Sequence, residues 1–223
     1  MLAYPYFDTY GPQTLMAQQL EKLRIALDEI RQVVRPLDDL YIYTELTIVH
    51  TGPKGLYAGY MSEAAPLVGR CEGTEWIYVG GADYGAPESG LAHELGHWLS
   101  HLWIEVRGAD WPYPIWERPG LRRLLREAQD EQDGLDEYTN DPSEIWARLF
   151  ETFVAWELEM LHPRCQPTAC PGFWPLTNSF YTDDGPMYFQ DYGFATDWGF
   201  FAERMRRWVR CLLREIRAGP RWE

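Results

Sequence analysis

Between Gln13 and Val34 the apolar residues Met16, Leu20, Leu23, Leu27, Ile30 and Val34 recur at alternating spacings of four and three. That period places them on one face of a long amphipathic helix, which Arg35-Pro36 ends. The stripe suits packing against the rest of the fold better than a coiled-coil dimer. Tyr41 to Val49 is aromatic and β-branched and predicts a strand, and Leu56 to Met61 and Glu75 to Val79 predict two more. A Gly- and Pro-containing loop, 80–87, then leads to Ser89–Trp103, where apolar residues return at helical spacing.

Three prolines make 104–120 irregular, Leu121 to Asp130 reads as a helix, and Glu131 to Asn140 as an acidic, turn-rich connection. Asp141-Pro142-Ser143-Glu144 opens another helix running to about Leu161, with an acceptor at the N-cap and proline at the first position. From 162 to 196 the chain is loop-like, and Trp198 to Arg217 is an amphipathic helix with arginines on its polar face. The expected fold is α+β: one domain, residues 1–223, in which a small mixed sheet carries two long helices.

Composition narrows the classes. A chain of 223 residues, 46% hydrophobic and with 11 Trp, suffices for one substantial core. Its 34 acidic and 20 basic residues give a net charge of −14, a field that repels phosphate backbones and argues against nucleic acid as a partner. No stretch approaches the ~20 apolar residues that span a bilayer, and Met1-Leu2-Ala3-Tyr4-Pro5 has no basic region of a signal peptide, so a cytoplasmic protein without a membrane partner is expected. Four scattered cysteines do not make a disulfide framework; Cys165 and Cys170 are expected as free thiols. Oligomeric state is not legible.

The chemistry lies in His93-Glu94-Leu95-Gly96-His97. Residues four apart on a helix stack one turn above each other, so both imidazoles can reach one metal ion at about 2 Å. Glu94 is placed beside them as a base for water rather than as a ligand. Zinc suits such a site, which needs a third protein ligand. Ser100 and Trp103 stand where a metzincin needs Gly and His, which excludes that solution. His101 lies a further turn along the same helix, and Glu117 is followed by Pro119 and Gly120, which spoil the helix needed to present it. Glu144, on a separate helix, is the better choice, although Asp141 and Glu144 also have the spacing of a capping box.

Around Glu144 the sequence Glu144-Ile145-Trp146-Ala147-Arg148-Leu149-Phe150-Glu151, downstream of H-E-x-G-H, resembles zincin-like metallopeptidases of the gluzincin type. It is similar to the protease domain of anthrax lethal factor and to zincin-like domains carried by phages and mobile elements. The resemblance covers the two helices and their order, about a fifth of the chain. It implies a zincin-like fold, with His93, His97 and Glu144 on Zn2+ and Glu94 as general base. It also implies a tyrosine donor to the developing oxyanion. Tyr138 fills that role six residues before Glu144, one closer than the pattern, and otherwise reads as a surface phenol. Glu151 has two readings, a carboxylate orienting a ligand histidine or a partner for Arg148, and the second is favoured. His50 and His162 are expected to be structural, and the aromatic residues between Phe180 and Phe194 to pack rather than bind.

The function expected is hydrolysis of peptide bonds in a peptide or protein substrate, zinc activating water and Glu94 taking its proton and passing it to the leaving amine. The alternative is a catalytically inactive module that keeps metal for stability and binds a protein partner.

Overall fold

Where apolar residues recur every three or four positions, the chain of this computed structural model is helical. It describes residues 6–9, 13–34, 46–50, 58–61, 75–79, 87–107, 114–130, 141–161, 181–182, 185–186 and 198–218. Helix α1 (Gln13–Val33) buries Leu23, Leu27 and Ile30 of the predicted stripe, with Ala26 beside them, and Val34 is buried just beyond its end; the side chains of Met16 and Leu20 fall outside the described residues. Helix α2 (Pro87–Arg107) buries residues on every side, from Leu91 through Leu95 and Trp98 to Trp103, and is accordingly the central element. It packs against α1, against helix α4 (Pro142–Leu161) and against helix α5 (Trp198–Ala218).

Helix α3 (Pro119–Asp130) follows a 3-10 turn, Ile115–Glu117. It buries Leu121, Leu124, Leu125 and Ala128 and turns Arg122, Arg123 and Arg126 to solvent. Helix α5 does the same with Met205, Val209, Leu212 and Ile216 inside and Arg207, Arg210 and Arg214 outside. Ion pairs Arg204–Glu127 and Arg206–Glu157 tie α5 to α3 and α4. Glu215 accepts two bonds from the Arg118 guanidinium at 2.8 and 2.9 Å and one from the Trp103 indole at 2.8 Å. The same guanidinium lies 5.1 Å from the Trp103 ring centroid, a cation–π distance.

Strands β1 (Tyr6–Thr9), β2 (Leu46–His50), β3 (Ala58–Met61) and β4 (Glu75–Val79) join in the order β1-β2-β4-β3. The first three in that order run parallel, and β3 is antiparallel to β4. Two-residue strands β5 (Tyr181–Thr182) and β6 (Gly185–Pro186) pair separately.

The expected α+β, zincin-like class, a fold organised on its sheet, is corrected by where the packing lies. The part of the chain that defines the packing is almost all helical, 93% of it in five helices with no strand. Ile77 is the one strand residue whose burial is described, and it is buried. The physical reason is length. Strands of four or five residues offer two or three inward positions each, whereas helices of 12 to 21 residues carry continuous apolar faces. Among the described residues no helix is long and apolar enough to cross a membrane.

Candidate metal centre

The side of α2 that meets α4 carries His93 and His97, and the first turn of α4 carries Glu144. Asp141 starts α4 as read from the sequence: its carboxylate accepts the Ser143 backbone N–H at 2.7 Å and the Ser143 hydroxyl at 2.5 Å. That leaves Glu144 for another task, and its carboxylate points across to the two imidazoles rather than serving a capping box. Glu144 Oε2 lies 3.2 Å from His93 Nε2, and Oε1 lies 3.4 Å from His97 Nε2. The two Nε2 atoms are 3.2 Å apart.

Three ligands of a tetrahedral ion at about 2 Å each stand about 3.3 Å from one another. The donors here already have that spacing. A single imidazole proton serves only one edge of such a triangle, whereas one cation serves every donor, so the residues fit a metal. Among the described residues these three are the one group whose donor atoms lie together in this way, within 4.8 Å of each other.

Helix contact sets the spacing. Gly96, between the two histidines, faces α4. A Cβ there would lie 3.1 Å from Ala147 Cα and 3.2 Å from Phe150 Cβ, closer than ordinary contact. The Trp146 indole, fully buried, donates to the Gly96 carbonyl at 2.8 Å. One side-chain-free position and one interhelical hydrogen bond thus hold α2 and α4 close together beside His93, His97 and Glu144.

The charge balance asks for a cation. Burial would raise the Glu144 carboxyl, but His93 and His97 at hydrogen-bonding distance outweigh it and hold it well below the usual carboxylate range. Burial would lower the His93 imidazole, but Glu144 and Glu151, with Glu94 adding to them, push it up to about 10. In the metal-free protein a proton on His93 thus takes the place a divalent ion would fill. Arg148 Nη2, 3.8 Å from Glu144 Oε2, adds further positive charge.

His93, His97 and Glu144 meet as the sequence predicted. Glu94, 5% exposed, shares the helix turn with His93, and its charge is felt there. The other third-ligand candidates lie elsewhere: Glu117 pairs with Arg122 at 3.4 Å, and His101 is outside the donor group. Tyr138, His162, Cys165 and Cys170 fall outside the described residues, as does the side chain of His50.

Glu151 reads from the sequence as either a carboxylate orienting a ligand histidine or a partner for Arg148, the second favoured. Its carboxylate, 1% exposed, faces His93, with Oε2 3.6 Å from Nδ1. The signal was available, since seven residues is two helical turns and puts Glu151 on the same face as Glu144. The Gly96–Trp146 contact was missed. No protein-family model matches the chain, and no curated protein matches it either.

Proposed function

We propose that this chain is a zinc-dependent peptidase acting on a peptide or protein substrate, with His93, His97 and Glu144 as metal ligands. The observation that supports it is the convergence of two imidazole nitrogens and a carboxylate from separate helices at 3.2–3.4 Å. Two imidazoles and a carboxylate suit zinc among the first-row divalent ions. Bound there, zinc supplies Lewis acidity, polarising a carbonyl and acidifying water. Glu94 takes a proton on its carboxylate and returns it to the leaving amine nitrogen, a task that a purely structural site does not need. His93 and His97 hold their Nε2 lone pairs toward one point while Glu144 balances the charge. The H-E-x-G-H sequence and the Glu144–Glu151 resemblance to gluzincins support peptide as the substrate class, and the net charge of −14 speaks against nucleic acid.

Elemental analysis of the wild type and Glu144→Ala, together with peptide-library cleavage by the wild type and Glu94→Gln, tests the proposal. One zinc per wild-type chain and strongly reduced zinc in Glu144→Ala are expected. Glu94→Gln keeps its zinc and loses at least about 100-fold in cleavage. Equal zinc in wild type and Glu144→Ala removes Glu144 from the ligand set. Zinc without cleavage of any peptide leaves a metal-stabilised binding module instead.

A further inference from the structure

We propose that the arginine face shared by α3 and α5 is a docking surface for a short acidic segment of a partner protein. Neither helix carries His93, His97 or Glu144, so the inference goes beyond the metal-site reading and stands without it.

The placement of charge carries the argument. The 33 residues of α3 and α5 hold nine arginines and four acids, a net charge of +5 that leaves −19 for the other 190 residues. The two helices lie side by side and antiparallel: Arg118 meets Glu215, Gly120 meets Trp208 and Glu127 meets Arg204. Each turns its apolar side to one core, so their outer sides form one surface. Arg122, Arg123, Arg126, Arg207, Arg210 and Arg214 are exposed there, against two exposed acids, Asp130 and Glu203, both near the Glu127–Arg204 contact.

A merely solvated face would follow the chain as a whole, in which acids outnumber bases 34 to 20. This face reverses the ratio. It is also unfavourable for the helices themselves. Arg122 and Arg126, four apart, repel each other, as do Arg207, Arg210 and Arg214. Helix α3 sets Arg122 in its first turn and Asp130 in its last, the reverse of what the helix dipole favours. Glu117 and Glu127 approach Arg122 and Arg123 at 3.4 and 3.6 Å in exposed positions, whereas Arg126, Arg207, Arg210 and Arg214 form no ion pair among the described residues. Lys22 and Lys54 are the only lysines of the chain, so position rather than residue type marks the surface.

Size selects the occupant. Arg207 to Arg214 spans about 10 Å along α5, and neighbouring helices stand about 8–10 Å apart. A few extended residues, at ~3.3 Å each, reach that far. A nucleic-acid duplex or a bilayer surface is larger than the patch and would meet the surrounding negative charge within a screening length of about 8 Å. A second copy of the chain brings the same net charge of −14 and is repelled as a whole. A short acidic segment meets the arginines and little else.

Fluorescence anisotropy of a dye-labelled decapeptide of alternating Glu and Gly, titrated with the full chain, tests the surface. The wild type is compared with a variant carrying Arg126→Gln, Arg207→Gln, Arg210→Gln and Arg214→Gln, in which exposed positions lose charge but keep helix propensity. Thermal melting verifies folding. Peptide affinity is expected to fall about 10- to 100-fold in the variant, as the loss of four exposed ion pairs would cause. Wild-type affinity is expected to fall as salt is added. If the fourfold variant does not fold, Arg207→Gln with Arg210→Gln decides in its place. No binding by the wild type, or equal binding by wild type and folded variant, would overturn the inference. So would tighter binding of a DNA duplex or of phosphatidylserine vesicles than of the peptide, which would assign the face to polyanions. Self-association of the wild type that the variant lacks would overturn it in favour of a second copy.

Discussion

Replacing Gly96 with alanine puts the geometry of the centre to a quantitative test. The added methyl carbon would lie 3.1 Å from Ala147 Cα and 3.2 and 3.3 Å from Phe150 Cβ and Cδ1. Carbon atoms prefer ~3.5–4.0 Å, so α2 and α4 must separate by a few tenths of an ångström, because a backbone Cα cannot rotate away. Alanine gains about 1 kcal/mol over glycine in a helix interior, and overpacking costs about 1–3 kcal/mol. The net loss of stability is about 0–2 kcal/mol, a fall in melting temperature of about 0–8 °C for a chain of this size. The metal site has less tolerance. Glu144 lies within one turn of Ala147, and ligand distances are matched to about 0.2 Å. Zinc affinity is therefore expected to fall on the order of tenfold, as it does when an orienting contact is lost. Chelator competition measures the affinity, and calorimetry of the metal-free protein measures the melting temperature. Unchanged zinc affinity in Gly96→Ala would refute the view that this contact sets the ligand spacing.

The metal-free protein is expected to lose stability at both ends of the pH range. The His93 pKa is raised, so its contribution is complete below its ordinary value of 6.5 and is lost as pH rises toward about 10. The Glu144 pKa is depressed, so its contribution is present above the ordinary 4.5 and is lost as pH falls through the lowered folded value. Melting temperatures between pH 5 and 10 should fall on the alkaline side, and saturating zinc should flatten that fall; a flat metal-free profile would contradict the charge balance described. Glu215→Gln keeps the shape but removes the charge that Arg118 and Trp103 share. With these side chains about a fifth exposed, the loss is about 1–2 kcal/mol, read as a melting temperature lower by about 2–8 °C. No change would show that the bidentate pair contributes nothing.

Helix positions were legible because their signals are local. The 4-3-4 spacing located α1 to within one residue, and Asp141-Pro142 marked the start of α4. Glu75–Val79 was read with its observed ends, and the Tyr41–Val49 reading overlaps β2 at Leu46–Val49. Fold class was not legible, since strand propensity reports that a segment is extended and not how much of the core it builds. Two of the three candidate ligands followed from the i, i+4 rule, and the third needed the helix start to be recognised. The helix-packing details lay beyond reach. That Gly96 meets Ala147 and that Trp146 reaches the Gly96 carbonyl depends on how two helices 50 residues apart cross, which no local pattern encodes. Glu151 was readable by face, but its approach to His93 was not, because that depends on how α2 and α4 cross.

The bridge from Glu215 to Trp103 and Arg118 joins positions 112 and 97 residues apart, and synthesis is directional. Helices α2 and α4 leave the ribosome before α5 exists. At about 5–20 residues per second, the stretch from the end of α4 to the end of α5 takes roughly 3 to 11 s to make. For that interval the side of α4 that will receive α5 is open, and the Trp103 indole lacks its acceptor. The histidine helix therefore matures late, and a nascent chain halted in that window would expose apolar surface while already displaying His93, His97 and Glu144.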